Sequence, residues 1–250
     1  MAEQEVIKHT KKVYNVWKGP TSFWHKLKEF LLEIFIIVFA ISLSLWFHNR
    51  SEHNHQQAEV KNFLLGLKKD LTADIAEMEE DKRNYFHQRD AFKYINSVKL
   101  GEAFDPDSLA VHYRWVMIST ILHPNNGRFE GFKSAGKIGN IENDSLQNDI
   151  MDLYQENIPD LLSSSNGYVS RKGNLFEYIQ ENNKRLTDST SNIAEILNTE
   201  QAHNICGLLT FTDEITTRYE MALQRMKRVI QLINKEYSLT DVESVVLKDK

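Results

Sequence analysis

A single cysteine, Cys206, excludes an internal disulfide framework and leaves the redox compartment open. Four prolines and ten glycines in 250 residues argue against long disordered linkers and against a turn-rich β-sandwich. The familiar catalytic punctuation is missing too: there is no H-E-x-x-H, no G-x-S-x-G and no C-x-x-C. No alternation of apolar and polar residues is strong enough to mark a sheet, and no sequence repeat is present. Positive charge is short where a nucleic-acid binder would need it. Residues 49–250 carry 24 Lys and Arg against 31 Asp and Glu, a net of −7. An acidic body is a poor partner for nucleic acid, because binding needs cations that displace condensed counterions.

What the chain does have is one long apolar run, Phe30 to Phe47, reading FLLEIFIIVFAISLSLWF. About 18 residues at ~1.5 Å rise per residue give roughly 27 Å, close to the hydrocarbon thickness of a bilayer. Glu33 is the only charge in it. The run is longer than a signal-peptide core and ends Leu45-Trp46-Phe47-His48-Asn49-Arg50, with no small-residue cleavage site. This predicts a permanent transmembrane anchor over residues 29–48. A buried soluble helix is the competing reading, and apolar character on every face opposes it. Lys8, Lys11, Lys12, Lys18, Lys26 and Lys28 precede the run, whereas Arg50, Lys61, Lys68 and Lys69 follow it at comparable distance. The positive-inside bias therefore predicts a cytoplasmic tail over 1–28 and a body on the far side of the membrane. Trp24 and Trp46 stand near opposite ends, where amphipathic rings favour the headgroup level.

The rest reads as helix, so the expected fold class is all-α. Val6 to Trp17 reads either as a short basic amphipathic segment or as a disordered tail; Gly19-Pro20 ends it, and Thr21-Ser22 offers a cap for the membrane helix. No breaker follows the span before Gly66, so the transmembrane helix is expected to continue into the first helix of an extracytoplasmic bundle. Val60, Leu64, Leu67, Leu71, Ile75 and Met78 form a heptad-like core stripe that continues through Tyr85, Phe92 and Ile95. Asp70, Asp74, Glu77, Glu80 and Asp81 are assigned to solvated faces. Gly101 and Asp105-Pro106 stop this helix, and a second is expected from Asp107 or Ser108 to about Leu122. His123-Pro124-Asn125-Asn126-Gly127 reads as a turn. A short element, Phe129 to Ala135, precedes a helix from about Leu146 capped by Asn143-Asp144-Ser145. Pro159 is a place for a kink. Helix resumes from Leu161 to about Leu186, a loop covers 187–192, and Ile193 to Leu197 is a short stretch. One last helix is expected from about Thr199 to Tyr237. The helical body thus covers 49–237, with a tail over 238–250.

Two stretches carry a resemblance. The first is Glu33-Ile34 and the exit Leu43-Ser44-Leu45-Trp46-Phe47-His48-Asn49-Arg50-Ser51-Glu52, followed by Leu64, Leu67, Asp70-Leu71 and Asp74. The second is Phe129-Glu130-Gly131-Phe132-Lys133-Ser134-Ala135-Gly136-Lys137-Ile138, then Ile141-Glu142-Asn143, Leu146, Ile150 and Tyr154. The chain resembles, over about residues 30–155, a Bacteroidota family of single-pass membrane proteins with a domain of unknown function. Arg50 departs from the family, which usually has an aromatic residue there. The resemblance implies an inner-membrane protein with a mostly helical periplasmic domain, and it implies no activity.

The candidate functional residues follow from chemistry. Glu33 is an ionisable group inside a span, which points either to helix assembly or ion contact, or to a boundary charge that snorkels or pairs with Lys26. His48, His53 and His55 cluster outside the membrane, but their spacing does not put three ligands on one helix face. Phe129, Phe132, Lys133, Ser134, Gly136, Lys137 and Asn143 form the best partner or ligand segment. Lysines flank a small turn there and a helix N-terminus follows, although a structural turn between packed helices explains the same residues. Cys206 with His203 three residues earlier is a conceivable thiol–imidazole pair, against the usual small buried cysteine. No catalytic, cofactor or metal residue is assigned. The expected partners are the lipid bilayer and another protein or a second copy of the chain. The leading reading is a membrane-tethered interaction or scaffold protein. A ligand-sensing module signalling through a partner and an enzyme with an unrecognised site are the alternatives. The heptad-like stripe supports docking through a coiled coil, and an intramolecular bundle uses such a stripe equally well.

Overall fold

The structure is a computed structural model, and it describes residues 23–185 and 191–239. The segment Val6–Trp17, the Gly19-Pro20 break, the Thr21-Ser22 cap, the Lys26 side chain, most of the loop at 187–192 and the tail from 240 lie outside the described residues. Within them the chain is all-α and contains no strand, only an isolated bridge between Arg185 and Ser191. Contacts divide the chain into two units, 1–59 and 60–250.

Helix α1, Phe23–Ser97, extends for 75 residues without a break in helical backbone. In the first unit its apolar side chains are uncovered: Phe35, Val38, Phe39, Ile41, Leu45 and Phe47 are all exposed. The most apolar 18-residue window has a mean hydropathy of 2.5, and none of it is buried. An apolar surface that meets no protein on any face suits hydrocarbon, and this helix is long and apolar enough to serve as a membrane anchor.

The second unit is a helical bundle, and burial along α1 begins at Val60. Leu64, Leu71, Met78, Tyr85 and Phe92 repeat every seven residues and are buried, as are Leu67, Asp74, Asp81, Gln88 and Ile95. The second row corrects the assignment of Asp74 and Asp81, of the five acidic residues, to solvated faces. Asp74 rather than Ile75 sits on the core stripe, because a strict seven-residue repeat from Leu67 lands on it. Helix α2, Pro106–Met117, is capped by Asp105, whose carboxylate accepts from the Ser108 N–H over 2.8 Å. It stops at Met117 rather than Leu122, and residues 118–126 form a non-helical strap.

Helix α3, Gly127–Ser134, and a 3-10 turn, Ile138–Asn140, lead to α4, Asp144–Asp152. A π turn, Leu153–Asn157, joins α4 to α5, Ile158–Asn182, directly before Pro159. Proline lacks the N–H for an ordinary ladder, and the wider turn resets the hydrogen bonding there. Short α6, Ile193–Leu197, precedes α7, Glu200–Leu209, and α8, Asp213–Glu236. The single last helix expected from the sequence is therefore two. The Thr210 hydroxyl donates back to the Gly207 carbonyl over 2.7 Å and the Thr212 N–H bonds the Thr210 carbonyl, which closes α7 before α8 starts.

Three rods make the core. Helix α8 runs antiparallel to α1: Glu220 pairs with Lys82, Lys227 with Glu79 at 2.8 Å, and Lys61 lies over the Tyr237 ring. Helices α4 and α5 run parallel to α1, with Tyr168 edge-on to Tyr85 at 5.3 Å and Lys172 bonded to Gln88. Asp149 of α4 is buried between Arg225 and Arg228 of α8, at 2.6 and 2.7 Å.

Candidate functional site

In the first unit, Glu33 is half-buried among exposed apolar neighbours. It falls on the same helical stripe as His25 and Glu29, which approach to 3.8 Å. The stripe puts the charge on the first turn of the apolar run, within reach of the headgroup level. His48, His53 and His55 are exposed, and His55 lies 3.7 Å from Glu59. Among the described residues no group of three or more His, Cys, Asp or Glu is placed to hold a metal ion.

The segment Phe129–Asn143 is built into the bundle. Phe129 is buried and stacks on Tyr154 at 4.3 Å, and Phe132 stacks on Phe63 at 4.0 Å. Exposed Lys133 rests its ammonium 5.5 Å above the Phe129 ring. Ser134 is exposed, and Gly136 takes a left-handed φ of 70°, which closes α3 with its N–H on the Lys133 carbonyl. The Lys137 N–H bonds the Phe132 carbonyl. Asn143 caps α4 through the Leu146 N–H at 3.1 Å and donates to Glu236 at 2.9 Å. The aromatic residues and Asn143 are thus engaged in packing and capping. Of the named residues, Lys133 and Ser134 are left facing solvent.

A larger polar system runs through the core, and no motif in the sequence marks it. On α1, Asp74 accepts from the backbone and side chain of Asn125 at 3.1 and 2.5 Å. Asp81 accepts from the Tyr219 hydroxyl at 3.2 Å. The Tyr85 hydroxyl donates to the Thr120 carbonyl at 3.2 Å, and the Gln88 amide donates to the Thr120 hydroxyl at 2.9 Å. The system ends at Lys172 of α5, which is 1% exposed. Its ammonium donates to Gln88 Oε1 at 2.8 Å, to the Ile118 carbonyl and, at 3.5 Å, to the Trp115 carbonyl. The Phe92 and Phe176 rings flank it at 5.7 and 5.6 Å. These bonds satisfy carbonyls left free where α2 ends, Trp115 in its last turn and Ile118 at its cap.

Burial shapes the titration of this system. Desolvation lowers Lys172 from the usual lysine range to about 7. Desolvation raises Asp74, against the lowering effect of its Asn125 bonds, and raises Asp81, against that of Tyr219. The Cys206 thiol is fully buried and pushed up to about 12, which is the chemistry of a packed cysteine rather than a nucleophile. The signal for Lys172 was present in the sequence: Leu161, Ser165, Tyr168, Lys172, Leu175 and Ile179 step by 4, 3, 4, 3 and 4, which places the lysine on the core stripe.

A cleft of about 220 Å³ lies beside α5 and α8, lined by Ser164, Arg171, Phe211, Glu214 and Arg218 among others. Much of its charge is internally matched. Arg218 pairs with Glu214 at 2.9 Å and also bonds the Asp160 carbonyl, while Ser164 donates to Glu214 at 3.1 Å.

The fold and this interior define an all-α protein with one apolar helix fit for a membrane anchor and a bundle whose core carries a buried polar system. No family model, curated protein or solved structure matches the chain.

Proposed function

We propose that this chain is a single-pass membrane-anchored interaction or scaffold protein, with the bundle outside the cytoplasm. In a cell with two membranes, the inner membrane and periplasm are the proposed location. The observation that carries the reading is the uncovered apolar stretch of α1, next to a bundle interior filled by its own side chains. A protein of this construction offers a surface fixed at a membrane. Two side chains at the α7–α8 turn support the reading: Leu208 and Phe211 are 58% and 71% exposed, which leaves apolar area for a partner. The lysine excess before the span supports a cytoplasmic N-terminus.

The heptad-like stripe no longer argues for docking, since Leu64, Leu71 and Met78 are consumed within the bundle. Association therefore falls to the anchor and the outer surface. Single cysteines placed before the span and on the bundle, in a Cys206→Ala background, test the topology with a membrane-impermeant thiol reagent. Labelling of the bundle position alone in intact spheroplasts is expected. Labelling of the N-terminal position alone would reverse the orientation. Association itself is read from the mass of the detergent-solubilised protein.

A further inference from the structure

Lys172 places a buried amine in the middle of the bundle with no carboxylate bonded to it among the described residues. Its partners are two carbonyls at the end of α2, the Gln88 amide oxygen and two aromatic faces. The strap at 118–126 depends on it. Strap residues Thr120 and Leu122 point inward, 5% and 2% exposed, and the strap runs antiparallel to α1 from Gln88 to Asp74. It has no regular backbone ladder of its own, so its attachment rests on the buried Leu122 and on polar contacts from Lys172, Gln88, Tyr85 and Asp74.

We propose that the strap at 118–126 is a proton-operated latch, held closed over α1 and α5 by neutral Lys172 and released when Lys172 is protonated. A neutral amine still has two N–H donors, enough for Gln88 and the Ile118 carbonyl. The ammonium keeps those bonds, but its charge must then sit in a desolvated site without a counter-ion. Opening the strap lets water reach it. The open form therefore has an ordinary lysine affinity for protons, the closed form a weaker one, and acidification shifts the population towards open. The depressed Lys172 value of about 7 puts the change in an environmental pH range.

The aspartates and tyrosines around the strap do not produce the same profile. On α1, Asp74 and Asp81 are raised by burial, so the closed form binds their protons more tightly and acid favours closing through them, the opposite sense to Lys172. Tyr85, Tyr168 and Tyr219 are raised by burial and stay neutral through the neutral range. His87 stacks on Trp115 from an exposed position, and His123 of the strap and Arg171 of α5 are exposed.

The test is hydrogen exchange of the full-length protein in detergent between about pH 6 and 9, corrected for intrinsic rates. Strap peptides of the natural protein are expected to gain about tenfold or more protection from the acid to the alkaline end. Lys172→Met should remove that dependence, and Lys172→Arg should leave the strap unprotected throughout. Protection in the natural protein that is flat, or a Lys172→Met profile that still follows pH, overturns the latch; so does a protected strap in Lys172→Arg. If either variant fails to fold, NMR titration of the Lys172 side chain decides. A midpoint near 7, followed by the strap amides, supports the latch. An ordinary midpoint near ~10.4, or strap amides that do not follow it, overturns it.

Discussion

The Arg128 guanidinium lies against the Cα of Gly66, where a Cβ would collide with it, and ends 2.8 Å from Asp70. A glycine in the middle of a helix costs about 1 kcal/mol relative to alanine. Here it is the clearance that lets an arginine cross α1. Gly66→Ala is therefore expected to gain nothing in stability, because the helix-propensity gain is offset by displacing a half-exposed ion pair. In an Arg128→Ala background the same change should stabilise by about 1 kcal/mol. Chemical denaturation of the four proteins of the cycle measures the coupling, and equal effects of Gly66→Ala in both backgrounds would refute it.

Asp149 is 4% exposed and faces two arginines of α8. Removing the buried carboxylate leaves Arg225 with Asp152 alone and takes away the Arg228 partner, so Asp149→Ala should cost about 2–3 kcal/mol. Arg228→Ala should cost less, about 1 kcal/mol, since Arg228 is 59% exposed and Arg225 remains in place. Thermal unfolding of both variants checks the order, and a larger loss for Arg228→Ala would contradict the geometry.

The Phe129–Asn143 segment separates packing from surface chemistry. Phe129→Ala should destabilise by about 3–4 kcal/mol, and Gly136→Ala by about 1 kcal/mol for its left-handed backbone. Phe132→Glu should disrupt folding by breaking the stack on Phe63. Lys133→Ala, at an exposed position over a ring, should cost under about 1 kcal/mol. A well-folded Phe132→Glu protein that has lost a binding partner would return this segment to partner recognition.

Lys172 also sets a slope in global stability. The unfolded chain binds the lysine proton with a pKa of ~10.4, the folded chain near 7. Between these values the unfolded state holds more protons, so stability rises with pH by up to ~1.4 kcal/mol per unit. The contribution is complete above the unfolded value and is lost as pH falls through about 7. Urea titrations from pH 7 to 9.5 should show the rise, and Lys172→Met should remove it.

The sequence made much of this architecture legible, and particular residues mark where it stopped. The apolar run, the Asn143 cap and the seven-residue rhythm of α1 are local signals, and they predicted the long first helix and the cap of α4. The end of α2 was not local. Nothing between Met117 and Leu122 breaks a helix; the carbonyls left free at its end are satisfied by Lys172, more than 50 positions away. The break between α7 and α8 is set by the Thr210 hydroxyl on the Gly207 carbonyl and the Thr212 N–H on the Thr210 carbonyl, bonds that no apolar periodicity reveals. By type Asp74 and Asp81 belong in solvent, but their register with Leu67 and Gln88 places them inside. At the candidate segment, type and spacing identified Phe129 to Asn143 as special. Only contacts tell that most of it is packing.

Association at the membrane is what the proposed function most directly requires. The decisive measurement is the mass of the full-length protein, extracted in a mild non-ionic detergent, by light scattering corrected for bound detergent or by native mass spectrometry. More than one copy of the chain, or a stoichiometric second protein, is expected in the particle. A strict monomer with no companion across several detergents would contradict the proposed function.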